Sequence, residues 1–173
     1  ELEQDGDMKE EEHGKRGKAV RESVSFILYL IVIVVLTFLM IRYVGQRTRV
    51  DGSSMENTLT NGDNLIVDKI SYRFHEPERF DIIVFPYQYK EDTYFIKRII
   101  GMPGETVQIT DKGEILINGE ELVESYGREV IKDPGLASDP ITLGEDEYFV
   151  MGDNRNYSKD SRFPDVGNIR RAD

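Results

Sequence analysis

The stretch YFIKRIIG, Tyr94–Gly101, sets five large apolar side chains around a Lys-Arg pair and closes on a glycine. Isoleucine and aromatic enrichment over eight residues, bounded by turn formers, reads as a β-strand. Strand side chains alternate, so Lys97 shares a face with Phe95 and Ile99, and Arg98 shares the other with Ile96 and Ile100. The runs NLIVDKI, FDIIVFPY, TVQIT, EILING and EYFVMGD repeat this composition, punctuated by Gly, Pro, Asp and Asn. DKG at Asp111–Gly113 is a hairpin loop between two of them, and Asn118-Gly119 is a second turn signal. The fold expected is mainly β: an antiparallel domain of hairpins with little helix. Glu120 to Pro140 is more polar and is expected as a hairpin extension or surface loop.

Upstream lies a segment of a different kind. VSFILYLIVIVVLTFLMI, Val24–Ile41, runs 18 residues without charge, proline or glycine. As a helix it reaches about 27 Å, close to the roughly 30 Å hydrocarbon core of a bilayer. A buried core helix is usually shorter, and a cleaved secretory leader exits through small residues, whereas this segment exits through MIRYVGQRTRV. We read residues 24–43 as a single transmembrane anchor. Lys9, Lys15, Arg16, Lys18 and Arg21 precede it, and Arg42, Arg47 and Arg49 follow closely. This bias favours a cytoplasmic N-terminus and an extracytoplasmic body. Residues 1–23, charged and poor in large apolar side chains, are expected to be a disordered cytoplasmic head. Met8 is a candidate natural start, with residues 1–7 an upstream extension.

The body, residues 44–173, carries 25 acidic against 16 basic residues, which argues against a nucleic-acid partner. There is no cysteine, and His13 and His75 are the two histidines. Disulfides, thiolate nucleophiles and a histidine-rich metal site are therefore excluded, and neither metal nor cofactor is expected.

Two adjacent serines stand in VDGSSMENTL, Val50–Leu59. A serine hydroxyl needs a base, usually histidine. His75 sits in a polar loop, where a lone histidine is most often a solvated bystander. Lys97 offers another route, because an amine held among apolar neighbours favours its neutral form. The plainer reading, a sheet-edge lysine reaching water, is commoner in proteins at large. MGDNRNYSKDSR, Met151–Arg162, crowds polar side chains at a strand end, as either a hydrogen-bonded turn or an active-site wall.

Together the anchor, SSMENTL, FDIIVF, IKRIIGMPGE and GDNRNYSKDSR, in this order across Val24 to about Gly167, resemble the type I signal peptidases. These are membrane-anchored Ser-Lys endopeptidases. The resemblance implies Ser54 as nucleophile, Lys97 as general base and Ser158 as the residue that orients the lysine amine. It implies an oxyanion region at Gly52, Ser53 and Ser54, with glycine at 52 where some members carry a serine donor. It places Val50, Met55, Leu59, Phe95 and Ile96 around shallow pockets for small side chains, and Arg98, Asp153, Asp160 and Arg162 in bracing ion pairs. The implied partners are signal-peptide-bearing preproteins cut after an Ala-x-Ala-like site, the lipid bilayer and the protein export machinery. Three departures stand out. Asn57 replaces a usual proline, Phe80 replaces a glycine before a strand, and the chain stops at NIRRAD where the family continues, so a C-terminal truncation is expected. A catalytically silent accessory relative would lack the serine or the lysine, and both are present. A self-cleaving repressor-type Ser-Lys protease would need an Ala-Gly or Cys-Gly bond, and neither dipeptide occurs.

Overall fold

The computed structural model describes the backbone from Leu2 to Ala172 and the side chains of Lys18 and of Val20 onward; the outer bounds 1 and 173 lie outside the described residues. The chain divides into two compact units, Glu1–Gln46 with Asp68–Ile70, and Arg47–Val67 with Ser71–Asp173.

The first unit is dominated by one helix, α1 (Leu2–Tyr43). Within it, Val20–Tyr43 is long and apolar enough to cross a membrane, and its apolar side chains, among them Phe26, Leu28, Val34 and Phe38, are exposed. Aliphatic side chains facing outward on every side suit lipid rather than water. The backbone continues as helix through residues 2–23, where composition led to the expectation of a disordered head. The difference has a local cause: Glu, Lys, Arg, Met and Leu are among the better helix formers and need no core to extend a helix already nucleated by its neighbour.

The second unit holds the sheets. In chain order the strands are β1 (Gly45–Arg49), β2 (Asn64–Asp68), β3 (Ile82–Pro86), β4 (Tyr94–Gly101), β5 (Thr106–Ile109), β6 (Ile115–Ile117), β7 (Glu120–Glu121), β8 (Ile141–Thr142), β9 (Glu147–Met151) and β10 (Ile169–Arg170). They form a β1-β2 ribbon, a four-stranded sheet in the order β10-β9-β4-β3, and a second in the order β7-β6-β5-β8. The pairings β3-β4, β4-β9, β9-β10, β5-β6, β5-β8 and β6-β7 are antiparallel. This matches the mainly β, antiparallel expectation.

Strand β4 is the hinge of the packing. Its Ile99 joins Phe85, Tyr148, Val150, Val166 and Ile169 in one core, while the next residue, Ile100, joins Val107, Ile109, Phe149 and Met151 in the other. Period-2 alternation thus feeds two cores from one strand. At its end Gly101 meets a crowd, for a Cβ there would press on Val107, Leu143 and Phe149. The pairing with β9 also shifts register between Ile99 and Gly101.

The two hairpin signals lie where expected, Gly113 between β5 and β6, and Asn118-Gly119 between β6 and β7 with φ of 53° and 85°. Positive φ at both central residues is the requirement of a type I′ turn. The excursion Glu120–Pro140 is more than a surface loop. It contributes Ile131 and Ala137 to the core around Val107. β1 has the polar sequence GQRTR, which carries no strand periodicity of its own, and it pairs with β2. At the far edge β10 pairs with β9, Ile169 opposite Tyr148, so β9 has a strand on either side.

Candidate active site

Lys97 leaves β4 on the face of Ile99 and is 3% exposed. Its Nζ lies 2.8 Å from Ser54 Oγ and 2.9 Å from the Ile96 carbonyl oxygen, and 5.0 Å from the Phe95 ring centroid. Among the described residues no carboxylate touches it. Burial therefore pulls the amine down from an ordinary 10.5 to about 8, against a weaker upward pull from the Asp160 charge.

Ser54 sits half-buried in a tight loop after Val50. Within it the N–H of Glu56 donates to the Ser53 carbonyl, and those of Thr58 and Leu59 donate to the Met55 carbonyl. Gly52 has φ of +112°, a conformation open to glycine, and a Cβ there would meet nothing within 4 Å. Its N–H donates to Asn61 Oδ1 at 3.0 Å. Asn57, where the resemblance implies a proline, is exposed; the loop is fastened by Arg128 Nη1 to Glu56 Oε2 at 2.8 Å and Thr58 Oγ1 to Asp153 Oδ2 at 2.5 Å.

The wall opposite is the segment after β9. Gly152 allows it to approach, since a side chain there would collide with Ser158 Oγ and the Ser54 carbonyl. Asp153 and Asp160 are fully buried, each held by a two-pronged arginine. Arg98 Nε and Nη2 reach Asp153 Oδ1 and Oδ2 at 2.9 and 2.6 Å. Arg162 Nε and Nη2 reach Asp160 Oδ1 and Oδ2 at 2.8 and 2.9 Å. Arg98 also stacks on Tyr126 at 3.7 Å and donates to the Phe80 carbonyl. Phe80 takes φ of 75°, the conformation a glycine would hold without strain, and its ring packs on Tyr126 at 5.1 Å between centroids. Ring packing offsets the backbone cost.

Ser158 is buried, and its Oγ has no hydrogen-bond partner among the described residues. The bond expected from it to the lysine amine is not made in this structure; the amine spends its short contacts on Ser54 and Ile96. Of the residues assigned to pockets, Val50 and Met55 are buried, and Leu59, Phe95 and Ile96 are half-buried. Sequence reasoning gave no individual role to Gly152, Asn154, Thr58, Tyr126 or the buried Arg155–Glu124 pair at 2.6 Å. The glycine directly after an apolar strand was the available signal for the first; the others announce themselves only through contacts distant in sequence.

A serine hydroxyl within hydrogen-bond reach of an amine whose pKa is lowered toward neutrality is equipped for nucleophilic acyl transfer, with the neutral amine as proton acceptor. Ser-Lys hydrolases are built this way. The sequence profile described as signal peptidase, peptidase S26, matches residues 22–173, and the chain belongs to that family. A signal peptidase I of Leptolyngbya laminosa is 44% identical over 128 residues, covering 70% of this chain and 61% of that protein. A probable signal peptidase I-2 of Synechocystis is 40% identical over 126 residues, covering 70% of this chain and 56% of that protein. The chain thus spans somewhat over half the length of these two relatives. Signal peptidase I P of Bacillus subtilis subsp. natto is 35% identical over 146 residues, covering 80% of this chain and 78% of that protein. A solved signal peptidase I structure from Enterococcus faecalis is 34% identical, with a TM-score of 0.44, covering 57% of this chain and 92% of that one.

Proposed function

We propose that this chain is a membrane-anchored serine endopeptidase that removes signal peptides from exported proteins after an Ala-x-Ala-like site. The observation that carries the reading is the 2.8 Å contact between Lys97 Nζ and Ser54 Oγ, with the amine buried and held near 8. Family membership and the Val20–Tyr43 span support it.

Neutral Lys97 accepts the Ser54 proton as Oγ attacks the scissile carbonyl carbon, and the new C–O bond pushes the carbonyl electrons onto oxygen. Collapse of this tetrahedral species expels the amine of the mature protein, which takes its proton from Lys97. Water, deprotonated by the same lysine, then attacks the Ser54 ester; as this second tetrahedral species collapses, Lys97 returns the proton to Ser54 Oγ, and the signal peptide leaves as a carboxylic acid that ionises in water. Ser158, with its buried hydroxyl unpartnered, is assigned the role of holding the amine as the proton moves. Val50, Met55, Leu59, Phe95 and Ile96 are assigned to the small-side-chain pockets, and Gly52, Ser53 and Ser54 to the oxyanion region. The N-terminus is assigned to the cytoplasm and residues 44–173 to the far side, where preproteins emerge from the export machinery. An anchor confines enzyme and precursor to one bilayer plane, which raises their effective concentration.

The test is incubation of the detergent-solubilised protein with an Ala-x-Ala precursor, followed by sequencing of the new N-terminus. Cleavage after the second alanine, absent in Ser54→Ala, is the expected result. An uncut precursor, or cutting that survives Ser54→Ala, overturns the reading.

A further inference from the structure

Asn154 is 3% exposed and touches the loop of Ser54 twice. Its side-chain Nδ2 donates to the Ser53 carbonyl at 3.0 Å, and its backbone N–H donates to the Ser54 carbonyl at 3.0 Å. Both peptide planes that flank Ser54 are thus gripped by one residue. The Oδ1 of the same carboxamide is buried without a partner among the described residues. Turning the amide over would set that oxygen against the Ser53 carbonyl, so the donor end fixes the orientation. An unsatisfied buried acceptor is destabilising, and a contact that persists despite it is held by its surroundings. Arg155 Nε donates to the Gly152 carbonyl, the Arg128 N–H to the Asp153 carbonyl and the Gly152 N–H to Asp160 Oδ2. The segment bearing Asn154 is therefore itself tied down.

The consequence lies across the peptide. A trans peptide is planar, with C=O and N–H pointing in opposite directions, and the Ser53–Ser54 bond is trans. Holding the Ser53 oxygen on Asn154 aims the Ser54 N–H directly away from it. Among the described residues that N–H donates to no protein acceptor. With glycine at 52, no side chain there supplements it. We propose that Asn154 is a positioning residue that, by gripping the Ser53 and Ser54 carbonyls, aims the Ser54 N–H at the oxyanion formed during acyl transfer. The proposal rests on Ser54 being the nucleophile, and it gives Asn154 no contact with substrate and no part in proton transfer.

The experiment compares wild type, Asn154→Ala and Asn154→Asp on a detergent-solubilised Ala-x-Ala precursor, with kcat, KM, their pH dependence and Tm recorded. Losing an oxyanion donor outright costs roughly 100- to 1000-fold in kcat. A donor present but misaimed is expected to cost about 10- to 100-fold, with KM within about twofold, because the contact acts only in the transition state. Asn154→Asp, equal in size but acceptor-only at its side chain, falls at least as far as Asn154→Ala. The pH at which activity rises stays that of wild type, since Lys97 is untouched; a general loss of structure at the site would move it. If Asn154→Ala fails to fold, Asn154→Gln keeps the donor on a longer arm, and a drop in its kcat at constant KM reads the same geometry. Inactive wild type overturns the Ser54 reading and this one with it. Active wild type with kcat of the variants within twofold, or with the loss residing in KM, overturns the positioning role alone.

Discussion

Lys97 and Arg98 are neighbours on one strand, buried to 3% and 4%, on opposite faces of the same sheet. Their treatment could hardly differ more. Arg98 is given Asp153 in a two-pronged contact, the Phe80 carbonyl and a stacked Tyr126 ring. Lys97 is given a hydroxyl and a carbonyl oxygen. The guanidinium cannot shed its proton and matches a carboxylate edge to edge, while an amine denied an ion pair surrenders its charge within reach of neutral pH. One face of β4 stores charge that is fully compensated, and the other keeps a poorly solvated amine, as the proposed general base requires.

The sharpest way to break this comparison is at the reactive pair. Ser54→Ala and Lys97→Ala are each expected to lower kcat/KM for precursor cleavage by roughly 10³-fold or more, as loss of members of nucleophile-base units does elsewhere. Circular dichroism is expected to show the fold retained. Lys97→Arg, which restores a cation but never a base, is expected to be equally inactive.

On the compensated face the loss is expected in stability. Arg98→Ala leaves the buried Asp153 without its arginine, and breaking a buried pair in this way typically costs about 3–5 kcal/mol. Denaturant unfolding followed by tyrosine fluorescence checks it. A cost below about 1 kcal/mol would mean that Asp153 is not dependent on its arginine.

Removing the uncompensated amine should do the opposite. A lysine lowered from 10.5 to about 8 is a stability cost of up to about 3 kcal/mol at neutral pH. Lys97→Met is therefore expected to be inactive yet more stable than wild type. For wild type the unfolded chain binds more protons than the folded one between pH about 8 and 10.5, so the Lys97 contribution to stability rises with pH across that window and is fully unfavourable below it. In Lys97→Met that rise is expected to vanish.

The gentlest probe is pH itself. The proposed mechanism uses the neutral amine, about a tenth of the population at pH 7 and about nine tenths at pH 9 for a pKa near 8. The kcat/KM profile is expected to climb with pH through about 8 and then level. A flat profile from pH 6 to 9 would remove Lys97 from the role of base.

What could be read along the chain follows from local periodicity. The apolar run from Val24, the alternation in YFIKRIIG and the turn at Asn118-Gly119 are written in consecutive residues, and each appears in the structure as an exposed apolar helix, a two-faced strand and a positive-φ turn. Residues 2–23 and β1 were harder to read, since polar sequences take the conformation their neighbours impose. The motifs pointed to Ser54 and Lys97 through resemblance, without saying how they meet.

The pairing of side chains came from the three-dimensional packing. Asp153 was assigned to Arg98, and Arg162 to Asp160, among several nearby charges. Ser158 was left without the lysine contact, and Phe80 was given a conformation that its residue type resists. The grip of Asn154 on Ser53 spans 101 residues of chain. Consecutive residues were enough to place the inner strands, the long apolar span and the residue types able to carry acyl transfer, because those properties depend on neighbours a few positions away. Which donor faces which acceptor depends on side chains brought together from opposite ends of the domain, and no local pattern encodes that.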